Sequence, residues 1–113
     1  MTAPLIAEIQ SAVCAHFALP RDAMTATSRF TRVARPRQIA MYLAKRLTTR
    51  SLPEIGRKFG NRDHSTVIHA VRRISELIEA DGEVERDVRA IRDGIERRLE
   101  ARDAPCGDGV SGD

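Results

Sequence analysis

The sequence predicts an all-α fold, one small helical domain built around a helix-turn-helix. Three observations carry that prediction. Apolar residues recur at helical spacing in successive runs along the 113 residues. Aromatic residues make up only 4% of the chain and Trp is absent, so the core must be assembled from Leu, Ile, Val, Ala and Met. Between the runs stand short breaks made of helix caps and stops, including one tight Gly-containing turn between two helical stretches. A chain of this length with 42% hydrophobic residues fits one compact domain, which excludes a large catalytic architecture.

Taken in order, Leu5, Ile6, Ile9, Val13 and Phe17 form one stripe, with Thr2 as a cap and Pro4 in the first turn, which predicts a helix over residues 3–17. Leu19-Pro20-Arg21-Asp22 interrupts it, with a short helical turn around Asp22. Residues Thr25 to Arg32, TATSRFTR, lack any stripe and read as an exposed basic loop. From Ala34 a helix runs to Thr48, with Pro36 early in it and Ile39, Leu43 and Leu47 on its apolar face. Ser51-Leu52-Pro53-Glu54 is a capping box that opens a short helix, Leu52 to Phe59, stopped at Gly60. Asp63 then caps a helix to about Ala80, whose apolar face is Val67, Ile68, Val71, Ile74 and Ile78. His64, Ser65, His69, Arg72 and Arg73 lie largely off that face. Asp81-Gly82 breaks the chain, and Val84, Val88, Ile91, Ile95 and Leu99 mark a final amphipathic helix. Residues 1–103 are thus expected to form the domain, and residues 104–113 a flexible tail.

The net charge of +3 conceals a strong asymmetry. Residues 21–73 carry thirteen Arg and Lys against three acids, a balance of +10, whereas residues 74–113 carry six Arg against twelve acids, a balance of −6. A basic middle of this kind points to a polyanionic partner. In a helix-turn-helix the second helix enters the major groove N-terminus first, so Asp63, His64, Ser65, Thr66 and His69 are the residues placed to reach base edges. The helix dipole adds partial positive charge at that end.

The run VARPRQIAMYLAKRLTTRSLPEIGRKFGNRDHSTVIHAVRRI, residues 33–74, closely resembles the C-terminal DNA-binding domain (domain IV) of the bacterial replication initiators of the DnaA family, a fold of the Trp-repressor-like helix-turn-helix class. With the flanking helices the resemblance covers residues 3–102. It implies that Arg62, Asp63, His64, Ser65 and Thr66 read the major groove and anchor phosphates. It also implies that Arg29 enters a narrow A·T-rich minor groove. Arg37, Gln38 and Lys45 match family positions that contact bases or phosphates, and Pro53 and His69 match further DNA-facing positions. Ser65 stands where some members have Thr, so a methyl that would touch a thymine methyl is lost. Phe30 and Arg32 also differ from some members. The implied partner is a double-stranded DnaA box of the TTATNCACA type, bound by one monomer.

No G-x-x-x-x-G-K-[ST] phosphate loop occurs, so no nucleotide, cofactor or ATPase activity is expected. The chain is therefore expected to be a DNA binder that regulates replication initiation or DnaA-dependent transcription and is not itself an initiator. Other readings remain open at this stage: a module that docks on DnaA or its regulators, or a fragment of a full-length initiator. His64 and His69 have no acid or cysteine partner at ligand spacing, which argues against a metal, and no nucleophile–base pair suggests an enzyme. His69 is either a DNA contact or a half-buried structural residue, and the acidic last helix is either a packing helix or a docking surface. Cys14 is expected to be a core thiol and Cys106 an incidental tail residue. The N-terminus lacks a signal-peptide pattern, and no apolar run approaches the ~18 residues of a membrane span, which predicts a cytoplasmic, nucleoid-associated protein.

Overall fold

The computed structural model describes residues 4–25 and 31–103, with the backbone alone described for residues 21, 31–33, 102 and 103. Five α-helices follow in order: α1 (Ile6–Phe17), α2 (Thr31–Leu47), α3 (Leu52–Lys58), α4 (His64–Ala80) and α5 (Gly82–Asp103). A single 3-10 turn, Arg21–Met24, lies between α1 and α2. It realises the short helical turn expected around Asp22. No strand occurs among the described residues.

The start of α1 differs from the sequence expectation. The helix begins at Ile6, with Leu5 in the extended cap conformation (φ −79°, ψ 151°), and the residues before it are not helical or, like Thr2, lie outside the described part. Leu5 carries no acceptor of its own. The carboxylate of Glu8 supplies half of a capping box by accepting the Leu5 amide at 2.8 Å.

The start of α2 differs in the other direction. Thr31 and Arg32 belong to the helix and not to a loop, so Pro36 is the sixth helical residue. A proline there removes one backbone hydrogen bond, to the carbonyl of residue 32, and its ring is buried in return. The remainder of the expected basic loop, residues 26–30 with Arg29 and Phe30, lies outside the described residues, as do Cys106 and residues 104–113 as a whole.

Three further boundaries are set by local chemistry. Ser51 and Glu54 close the expected capping box, with the Glu54 amide donating to Ser51 Oγ and the Ser51 amide donating to Glu54 Oε1. Phe59 ends α3 as its cap, one residue earlier than expected. Asp81 forms the whole joint between the last two helices: its amide donates to the Leu77 carbonyl, and its carboxylate accepts the Glu83 amide at 3.0 Å. Gly82 is therefore the first residue of α5 and not a break.

The core collects Ile6, Ile9 and Val13 from α1, Ile39, Met41 and Leu43 from α2, Ile55 and Phe59 from the α3 segment, Val67 and Ile74 from α4, and Val84, Val88, Ile91 and Ile95 from α5. Phe59 is fully buried, which contributes about 1.5–3 kcal/mol. Cys14 is buried, as expected, and its thiol reaches the Pro20 carbonyl. Helix α5 packs on α4 and α1, and His16 on α1 meets Asp87 on α5 at 3.0 Å. Arg89 pairs with Glu85 one turn away, as the alternation of charge on this helix suggested. Among the described residues no helix is long and apolar enough to cross a membrane.

Candidate nucleic-acid interface

The site is built on the turn between α3 and α4. Gly60 (φ 88°) and Asn61 (φ 57°) both take left-handed backbone conformations, which reverse the chain within four residues. Asn is the side chain that tolerates this region best after Gly. The sequence identified Gly60 as the stop but not Asn61 as its continuation. The turn is held by the Arg62 amide, which donates to the Gly56 carbonyl, and by Arg62 Nε, which donates to the Phe59 carbonyl at 2.9 Å.

Asp63 then opens α4 as the expected cap. Its Oδ1 accepts the His64 amide at 2.9 Å, and its Oδ2 accepts the Ser65 hydroxyl at 2.9 Å. The Ser65 hydroxyl first and the His64 amide second stabilise the carboxylate, which holds the Asp63 pKa below its ordinary value. His64 Nδ1 lies 3.2 Å from the same Oδ1. Asp63, His64 and Thr66 are exposed at the start of the helix, and Ser65 is half-buried.

A groove lies between α2 and α4. Its walls include Arg37 and Gln38 from α2, Arg62 from the turn, and Thr66 and His69 from α4. Five of the eleven residues singled out from the sequence thus line one concavity. His69 is exposed within it, not half-buried. Arg37 behaves unlike its neighbours: it is 8% exposed, and its Nε and Nη2 both donate to the Ala23 carbonyl, at 3.3 and 2.9 Å. Burial first, and the Arg62 charge second, hold its pKa below the ordinary arginine value.

Lys45 and Pro53 are exposed but do not line this groove. Lys45 borders a neighbouring, more apolar one with Leu52, Ile68, Val71, Arg72 and Ser75. Arg29 lies outside the described residues, so its place beside the others is an expectation only. Sequence reasoning omitted Arg50, Arg57 and Lys58, which line a separate groove beside Ile6. Their signal was present in the charge of the middle segment. Among the described residues no three His, Cys, Asp or Glu side chains converge as a metal set would require.

A family model described as "Bacterial dnaA protein helix-turn-helix" matches residues 6–74. The chain belongs to this DnaA helix-turn-helix family. Among relatives, the chromosomal replication initiator protein DnaA of Sphingopyxis alaskensis is 62% identical over 87 residues, covering 77% of this chain and 19% of the relative. DnaA of Gluconobacter oxydans is 55% identical over 91 residues, covering 80% of this chain and 19% of the relative. DnaA of Zymomonas mobilis subsp. mobilis is 52% identical over 86 residues, 76% of this chain and 18% of the relative. The chain thus spans about a fifth of the length of the DnaA proteins it matches. The DnaA family match runs from the first residue of α1 to Ile74 inside α4, so it contains the whole turn and the groove, whereas α5 follows it.

Proposed function

We propose that this chain binds duplex DNA sequence-specifically at DnaA boxes of the TTATNCACA type and thereby regulates chromosomal replication initiation or DnaA-dependent transcription. The observation that carries the reading is the groove between α2 and α4, lined by Arg37, Arg62, Gln38, Thr66 and His69, at the first turn of α4 where Asp63, His64 and Thr66 are exposed. A helix N-terminus with small hydrogen-bonding residues and flanking cations has the two components that duplex recognition needs. Phosphate contacts position it, and base-edge contacts specify it.

In this reading Asp63, His64, Ser65, Thr66 and His69 meet base edges in the major groove. Arg62 anchors phosphate, Arg37, Gln38 and Lys45 contact bases or phosphates, Pro53 faces the DNA, and Arg29 reaches the minor groove. One monomer, residues 1–103, occupies one asymmetric box, and residues 104–113 are dispensable for binding. The 113 residues contain no phosphate-loop run, so binding by them proceeds without nucleotide or ATP hydrolysis. Such a protein acts in the cytoplasm, on the nucleoid.

Anisotropy titration against a TTATCCACA duplex and a scrambled duplex of equal composition tests this reading. Tighter binding to the box is expected, with log K falling against log salt by about 0.9 per phosphate contact. Equal affinity for both duplexes at several salt concentrations refutes box recognition.

A further inference from the structure

We infer that Arg57 and Lys58, on the outward face of α3, form a second phosphate-binding site that holds the duplex backbone alongside the box, apart from the groove between α2 and α4. The inference rests on the DNA-binding reading above and enlarges the surface that reading uses. The groove beside Ile6 is lined by three cations, Arg50, Arg57 and Lys58, and one carboxylate, Glu54. Glu54 is already engaged: its Oε1 accepts the Ser51 amide and hydroxyl, and its Oε2 accepts Arg50 Nη1 at 3.4 Å. The Arg50 charge is thus partly spent within the protein. Arg57 and Lys58 are exposed, and among the described residues neither side chain has an ion-pair or hydrogen-bond partner. Two adjacent uncompensated cations beside a third make a local positive field that attracts a polyanion.

The place of these cations in the fold favours the phosphate backbone as that polyanion. Helix α3 has seven residues, a length of about 10 Å, and is the first helix of the helix-turn-helix, the one that crosses the backbone when the second enters the major groove. Ile55, Gly56 and Phe59 of this segment are buried, whereas Pro53, Arg57 and Lys58 are exposed. Pro53 and Arg57, four residues apart, stand one turn above the other on the same face. In the reading above Pro53 faces the DNA, and Arg62, four residues after Lys58, anchors phosphate. The two cations therefore lie in the chain between two DNA-facing groups of one helix-turn-helix. Their backbone is fixed from both sides, since Gln10 Nε2 donates to the Lys58 carbonyl at 3.0 Å and the Asn61 amide donates to the Arg57 carbonyl at 3.3 Å. A duplex carries one phosphate charge per ~1.7 Å of axis, so a backbone crossing α3 offers a phosphate to each of two adjacent cations. Such contacts add affinity and fix register without reading sequence.

The experiment titrates box and scrambled duplexes over a salt series with wild type, the α3 double variant Arg57→Gln/Lys58→Gln, the conservative Arg57→Lys, and Arg92→Gln/Arg97→Gln. The last removes the same charge from exposed positions on α5. The α3 double variant is expected to bind the box roughly tenfold more weakly at low salt, with the slope of log K against log salt reduced by about one per residue. Its preference for box over scrambled duplex should persist. Arg57→Lys, which keeps the charge, and the α5 variant should retain the wild-type slope. Box duplexes carrying one uncharged methylphosphonate at a time then locate the contact: at least one position that weakens wild type should no longer weaken the α3 double variant. Wild-type affinity and slope in that variant would overturn the proposal and leave the groove to an acidic protein segment. Equal slope reductions in the α3 and α5 variants, or one methylphosphonate profile shared by wild type and the α3 variant, would overturn it in favour of a diffuse effect of net charge. If wild type fails to distinguish box from scrambled duplex, the box reading falls, while the slope difference between wild type and the α3 variant on the scrambled duplex still decides this site.

Discussion

The Arg62 carbonyl oxygen lies where a side chain on Gly56 would have to be: a Cβ built on that glycine meets it at 2.3 Å, while the Arg62 amide donates to the Gly56 carbonyl at 2.8 Å. Helix α3 and the residue preceding the α4 cap are therefore in backbone contact. Replacing Gly56 by Ala forces the two segments apart, because the obstructing atom is backbone and not a flexible side-chain end. The expected cost is about 1–3 kcal/mol of unfolding free energy in urea titrations. Wild-type stability in Gly56→Ala would show that the turn relaxes without penalty.

Gly94 provides the opposite case. It lies within α5, and a Cβ there would meet nothing within 4 Å. Gly94→Ala removes backbone freedom from the unfolded chain without strain in the folded one. The midpoint of urea unfolding should rise, by an amount equivalent to about 0.5–1 kcal/mol.

Asp63 links the cap of α4 to pH. Its pKa is held below the ordinary value of 3.8 in the folded chain, first by the Ser65 hydroxyl and then by the His64 amide. A depressed folded pKa stabilises the fold above the unfolded value, and that stabilisation is lost as pH falls through the folded value. Acid unfolding of wild type should therefore be steeper below pH 3.8 than that of Asp63→Asn, which keeps an acceptor for the helix amides but does not titrate. Superimposable acid limbs of the two proteins, followed by far-ultraviolet circular dichroism, would count against this linkage.

Ser65 donates its hydroxyl to Asp63 while occupying the second helical position of α4. Threonine at this position retains the hydroxyl and adds a methyl group facing the proposed thymine contact. Burial of one methyl is worth about 0.8 kcal/mol, so Ser65→Thr should bind a box duplex roughly fourfold more tightly. The gain should vanish when the contacted thymine is replaced by uracil, which lacks the methyl.

The parts of the fold legible in the sequence are those whose causes are local. Ser51 and Glu54, Asp63, and Gly60 each announce a helix end through a side chain or its absence within a few residues of the boundary. The stripe of α5 reaches the core as its spacing required, whereas on α4 Val67 and Ile74 are buried with Ala70, Val71 and Ile78 pack against the core only in part, and Ile68 lines a surface groove instead. What was not legible depends on partners far along the chain. The demand for glycine at position 56 comes from the Arg62 backbone, and the burial of Arg37 comes from an acceptor at Ala23, so a list of cations could not separate Arg37 from its exposed neighbours. The early start of α2 was hidden because Pro36 is a familiar first-turn residue, yet the helix accepts it five residues in. The grouping of Gln38 with Thr66 and His69 came from the family resemblance, since periodicity on two separate helices does not fix how they face each other.

Asp81 serves two helices at once, ending α4 through its amide and opening α5 through its carboxylate. A connection one residue long has no slack. The 17 residues of α4 and the 22 of α5 consequently form a jointed lever whose hinge is already hydrogen-bonded in both directions. Helix α5 is further clasped to α1 through His16 and Asp87. The one-residue joint therefore ties the placement of α5 to that of α4, the helix whose first turn carries Asp63 and His64.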